Sequence, residues 1–177
     1  DEVWANADNF PNTEKYGEIP QSAMVITDKQ GNIVGIAGGR GEKTSSRGFS
    51  YASDARRQPG SSLKPLSAYG PAMDNGIVTP DSTIYDRALM EDEEGNPWPM
   101  NDGKYPTGRQ LTIKEGMTRS LNTVSAQLLK TLTPQVSFNF LTQQLGFKLV
   151  DSRTNEDGTV QSDIDLAPLA LGALTDG

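Results

Sequence analysis

The stretch Arg57-Gln58-Pro59-Gly60-Ser61-Ser62-Leu63-Lys64-Pro65 carries the reading of the whole chain. Proline has no N–H and fits a helix without loss only in the first turn, so Pro65 predicts a helix start at about Ser61 or Ser62. The helix is expected to run through Leu66 and Tyr69 toward Met73, kinked at Gly70-Pro71. Three residues apart in a first turn, Ser61 and Lys64 point to one side, which brings an amine within reach of a hydroxyl. A serine hydroxyl is inert at neutral pH unless a base takes its proton, and a lysine serves only if burial or a neighbouring cation lowers its pKa. The helix N-terminus adds backbone N–H and a positive dipole end where an oxyanion would form.

Composition narrows the choice of base. The 177 residues contain no histidine, which removes Ser-His-Asp triads, imidazole bases and nearly every zinc catalytic site. Cysteine is also absent, so thiol nucleophiles, thiolate metal sites and disulfides drop out. A base must therefore be a carboxylate or a lysine, and neither a metal nor a cofactor is expected. The formal net charge of −7 repels phosphate backbones and anionic headgroups, which argues against a nucleic-acid partner. A chain of this size with 34% hydrophobic residues can bury one sizeable core. No stretch approaches the roughly 20 apolar residues that span a bilayer.

Upstream of the serine, Asp1 to Pro20 reads as an irregular lead-in. The run Ala23-Met24-Val25-Ile26-Thr27 is a strand, Lys29-Gln30-Gly31-Asn32 a turn and Ile33 to Ala37 a second strand, together a hairpin. The near-continuous apolar character of Met24-Val25-Ile26 predicts burial on both faces. Gly38 to Gly60 is a loop rich in Gly, Ser and Arg; its Lys43-Thr44 lacks the preceding glycine and the spacing of a phosphate-binding loop.

Downstream, Asn75 to Gly108 is mostly loop, with Glu91-Asp92-Glu93-Glu94 as a solvated turn. Thr112 followed by Glu115 is a capping box that opens a helix through Met117. Asn122 to Leu132 is a second helix with Val124, Leu128 and Leu132 on one stripe. Thr133-Pro134 starts a third, with Val136, Phe140 and Leu141 on its buried side and Gly146 at its end. Lys148 to Asp163 is a polar loop or short hairpin, and Ile164 to Leu174 is apolar again.

Neither short pattern is diagnostic alone. With 14 serines and 8 lysines among 177 residues, about 0.6 Ser-x-x-Lys matches arise by chance. Ser120-Leu121-Asn122 is no rarer, and Ser137-Phe138-Asn139 repeats its pattern inside a helix, whereas Ser120 falls between two helices. Order and context are specific. The nucleophile stretch, then Trp98-Pro99-Met100-Asn101 through Gly108, Leu111-Thr112, Met117 to Val124, and Leu169-Ala170-Leu171-Gly172 follow one another. In that order they resemble the transpeptidase domain of penicillin-binding proteins, especially the bifunctional high-molecular-mass class that also carries a glycosyltransferase domain.

The resemblance implies an α+β fold, an antiparallel sheet flanked by helices as in serine transpeptidases and β-lactamases. It also implies a division into a lead-in (1–20) and a partial transpeptidase domain (21–177). The roles of its motifs are general knowledge of such enzymes. By resemblance Ser61 is the nucleophile, Lys64 its base, Ser120 a proton relay and Asn122 the residue that binds the acyl donor's amide while holding Lys64. The implied substrates are peptidoglycan stem peptides, with β-lactams as mimics that trap Ser61, at the extracytoplasmic face of a bacterial membrane in a membrane-anchored parent protein. The family's third motif, Lys-Thr/Ser-Gly on a strand, is missing: Lys43-Thr44-Ser45 and Lys130-Thr131-Leu132 lack the glycine. We expect it to lie beyond Gly177, which leaves the sheet incomplete and this fragment inactive alone. A serine β-lactamase and a non-catalytic β-lactam-sensing domain are the alternatives. The first would turn penicillin over rapidly; the second would acylate without transfer to an amine.

Overall fold

In the computed structural model, which describes residues 21–40, 46 and 48–175, the β-branched runs pair as expected. Strand β1 (Met24–Thr27) lies antiparallel to β2 (Ile33–Ala37), with Met24 opposite Ala37 and Ile26 opposite Gly35. Asp28 organises the turn, its carboxylate accepting the backbone N–H of Gln30 and Asn32 at 2.9 Å each. Burial on both faces is not found: Met24, Val25, Ile26, Ile33, Val34 and Ile36 are between 44% and 64% exposed. A two-stranded ribbon has no covering layer of its own, and apolar composition alone does not supply one. The lead-in at 1–20 and the loop residues 41–45 and 47, with Lys43-Thr44, lie outside the described residues.

The chain divides into two compact units, Asp1–Arg56 and Arg57–Gly177. The second begins with the decisive stretch. A 3₁₀ turn, Gly60–Leu63, passes through Lys64 into a π turn, Pro65–Tyr69, and then into α1 (Gly70–Asp74). Two prolines account for this sequence of turns. Pro65 has no N–H for Ser61, and the Lys64 N–H closes the tighter bond to the Ser61 carbonyl instead. Pro71 has none for Ser67, whose carbonyl takes the Ser137 hydroxyl at 2.6 Å. Across the widened turn the Gly70 N–H reaches Pro65 O. A Cβ at position 70 would sit 2.8 Å from that oxygen, so only glycine fits without a shift.

The remaining strands are short: β3 (Thr83–Tyr85) pairs with β6 (Gln110–Thr112), β4 (Met90–Glu91) with β5 (Pro97–Trp98), and β7 (Arg153–Thr154) with β8 (Val160–Gln161). Each ribbon is two-stranded and antiparallel, in keeping with helices beside an incomplete sheet. Helix α2 (Ile113–Thr118) opens on the predicted capping box, Glu115 N–H to Thr112 Oγ1 at 3.1 Å and Thr112 N–H to Glu115 Oε2 at 2.7 Å.

Helix α3 (Asn122–Leu132) is the central element, and its predicted stripe of Val124, Leu128 and Leu132 is buried. One side of α3, with Leu129 and Leu132, packs against Leu63, Leu141, Leu169 and Leu174. The other, with Val124 and Leu128, packs against Ala68, Tyr69, Leu111 and Ile113. The third predicted helix is α4 (Pro134–Asn139) running into a π turn, Phe140–Gln144. Here the predicted inner face is partly wrong: Val136 is exposed and Phe138 buried, while Leu141 is buried as expected. Three and four residues back from Leu141 stand Phe138 and Ser137, both buried, whereas Val136 is five residues back and falls off that face. The segment closes with α5 (Leu166–Leu171).

Candidate active site

Lys64 is 2% exposed, an unusual place for an ammonium group. Its Nζ lies 2.8 Å from the carbonyl of Ser120, 3.3 Å from Ser120 Oγ and 2.5 Å from Asn122 Oδ1. All three acceptors are neutral. Burial holds the amine below the ordinary lysine pKa, the direction a base requires.

Ser61 stands one turn earlier, exposed at its surface, and the described residues include no hydrogen bond between its Oγ and Lys64 Nζ. The structure thus gathers three of the four predicted site residues, Lys64, Ser120 and Asn122, with Ser61 three positions before Lys64 in the chain. The remaining Ser-x-Asn match, Ser137-Phe138-Asn139, lies inside α4.

Ser120 is set by the end of α2. Its N–H bonds Met117 O at 2.9 Å and the next N–H, of Leu121, bonds Gly116 O at 2.9 Å, which together form a Schellman closure. The closing residue must be left-handed, and Ser120 has φ 53°, where glycine is the unstrained choice. A serine there carries backbone strain and presents its hydroxyl and carbonyl to Lys64.

The backbone before Ser61 is set by α5. Ser67 Oγ donates to Leu169 O at 2.6 Å, Ser125 Oγ to Ala170 O at 2.8 Å, and the Gly60 N–H to Gly172 O at 3.2 Å. Gly172 caps α5 at φ 76°, and a Cβ on it would fall 1.9 Å from Gly60 O. The last turn of α5 is therefore pinned against the start of the Ser61 segment.

A second cluster, not anticipated from the sequence, lies beside the first. Asp86, 1% exposed, receives Asn101 Nδ2 at 2.7 Å, Thr123 Oγ1 at 2.7 Å, Thr107 Oγ1 at 2.7 Å and the Thr107 N–H at 2.9 Å. Burial pushes its pKa up, and these hydrogen bonds together outweigh it, leaving the carboxyl below the usual value. Asn101 and Lys104 close a tight turn over Asp102 and Gly103, both at positive φ. The Asp-Gly dipeptide is the one local signal that could have located it. A cleft of about 230 Å³ opens here, lined by Asn101, Lys104, Tyr105, Arg119 and Ser120 among others.

Set against known proteins, residues 21–174 match the family model of the penicillin binding protein transpeptidase domain. Penicillin-binding protein 4 of Bacillus subtilis (strain 168) is 31% identical over 162 residues, covering 92% of this chain and 23% of that protein. Penicillin-binding protein 1A of Clostridium tetani is 31% identical over 172 residues, 93% of this chain and 20% of its own length. Penicillin-binding protein 2a of Streptococcus pneumoniae reaches 39% identity over 127 residues, 68% of this chain and 16% of the relative. The chain belongs to the penicillin-binding protein transpeptidase family. It spans at most 23% of the length of these relatives.

Proposed function

We propose that this chain is the nucleophile-bearing part of a D-alanyl-D-alanine transpeptidase that cross-links peptidoglycan stem peptides through an acyl-enzyme on Ser61. The observation that carries this reading is the buried Lys64 amine, held by Ser120 and Asn122 one turn after an exposed serine. As a neutral amine, Lys64 has two N–H groups, enough for its two shorter contacts, Ser120 O and Asn122 Oδ1. Its lone pair is then free to accept a proton.

Ser61 Oγ attacks the carbonyl of the penultimate D-alanine as its proton passes to Lys64 Nζ. Collapse of the tetrahedral intermediate breaks the bond to the terminal D-alanine, whose amine leaves with a proton relayed through Ser120 Oγ. The amine of a second stem peptide attacks the ester, gives up its proton along the same route, and frees Ser61. Asn122, whose Nδ2 is bound to Met100 O at 2.7 Å, has its side chain fixed for orienting the acyl donor. β-Lactams would acylate Ser61 in the same way, and the site would work on the extracytoplasmic side of a membrane-anchored parent. The 177 residues alone, without a Lys-Thr/Ser-Gly strand, would label poorly.

Intact-mass measurement of the full-length protein with a penicillin tests this reading. One adduct is expected, absent from Ser61→Ala, with an acylation rate that rises as pH passes upward through the lowered Lys64 pKa. An adduct that survives Ser61→Ala contradicts the assignment, and rapid penicillin turnover would make the protein a β-lactamase.

A further inference from the structure

Two adjacent residues of one loop hold two adjacent residues of α3. Met100 O accepts Asn122 Nδ2 at 2.7 Å, and Asn101 Oδ1 accepts the Thr123 N–H at 3.2 Å. Asn122 is in turn the residue whose Oδ1 holds Lys64 at 2.5 Å. What holds the loop is Asp86, which binds Asn101 through Nδ2 and α3 directly through Thr123 Oγ1, while Thr107 fills its other oxygen. An ionised carboxylate is acceptor-only with about four lone-pair sites, and here four donors converge on it. No neutral side chain of that size offers four acceptor sites. A carboxamide accepts on one atom only and would turn an NH₂ group toward two donors.

We propose that Asp86 is a positioning residue for acyl transfer, its carboxylate fixing Asn101 and Thr123 and thereby the orientation in which Asn122 presents its amide to Lys64. Asp86 touches neither Lys64 nor Ser120, and it acts through Asn101 and the first turn of α3. The inference rests on the transpeptidase reading above and extends the site beyond Ser61, Lys64, Ser120 and Asn122.

The test is β-lactam acylation kinetics on the full-length protein, resolved into the non-covalent dissociation constant and the first-order acylation constant at saturation. Asp86→Asn is expected to lower the acylation constant by about 10- to 100-fold, the scale of a misplacement near 1 Å, with the dissociation constant within about twofold. Exchanging the two groups, in the double variant Asp86→Asn/Asn101→Asp, restores a carboxylate-carboxamide pair that still accepts the Thr123 N–H. It is expected to recover most of the loss.

An acylation constant per folded molecule that is unchanged in Asp86→Asn overturns the proposal. So does a loss that follows the folded fraction alone and is not recovered by the exchange. If Asp86→Asn does not fold, Thr123→Val removes one donor at constant volume. It should lower the same constant by about 3- to 10-fold, and no change there is equally fatal. A wild-type protein that is not acylated at Ser61 fails the parent reading instead, and the inference falls with it.

Discussion

Strands β1 and β2 of the hairpin are more apolar in sequence than helix α3, yet they leave six large apolar side chains near half-exposed while α3 buries its stripe completely. Patterning selects the element; burial needs a partner layer. Helix α3 has two, the Leu63 and Leu169 side and the Tyr69 and Ile113 side, and Asn122, which holds Lys64, stands on its first turn. The hairpin has its turn chemistry and its register but nothing over either face among the described residues of its unit.

Equal core substitutions should therefore have unequal effects. Leu129→Ala in α3 is expected to cost about 2–5 kcal/mol, seen as a lowered urea midpoint. Ser120→Gly should separate activity from stability: removing the hydroxyl lowers the acylation rate by on the order of 10²-fold or more. The same change relieves the left-handed strain and raises stability by about 1 kcal/mol. If thermal unfolding shows Ser120→Gly destabilised, the strain assignment is wrong.

Two carboxylates extend the contrast. Asp86 and Asp28 each accept several hydrogen bonds and each sit below the usual carboxyl pKa, the first buried in the helical unit and the second only half-buried in the hairpin turn. A folded-state pKa below the unfolded one means that Asp86 contributes in full above about pH 3.9 and loses its contribution as pH falls through the lower folded value. Asp86→Asn should cost about 1–3 kcal/mol at neutral pH and flatten that acid limb, while Asp28→Asn leaves the urea midpoint nearly unmoved. Thr112→Ala, which opens the capping box, comes next at about 1 kcal/mol. Smallest of all, Val34→Ala is expected within about 0.5 kcal/mol. A cost approaching that of Leu129→Ala would reveal a layer over the hairpin.

Local signals were legible in the sequence and long-range ones were not. The hairpin, the capping box and the α3 stripe depend on residues within a few positions of one another, and each stands where expected. Lys64 was legible as a partner for a nearby serine. Its burial was not, because Ser-x-x-Lys reads equally well as a capped helix with a surface lysine. The Asp86 cluster joins residues 15 to 37 positions apart and carries no periodicity. The missed inner face of α4 has a geometric cause: at the α period Leu141 shares a face with Phe138 and Ser137, not with Val136 five residues back.

The contact between Gly60 and Gly172 has a consequence for how this protein can vary. Every L-side chain begins with the same carbon, and at position 172 that carbon would land on a peptide oxygen one residue ahead of Ser61. In a saturation library sorted by fluorescent penicillin labelling, position 172 should accept no amino acid but the parental one.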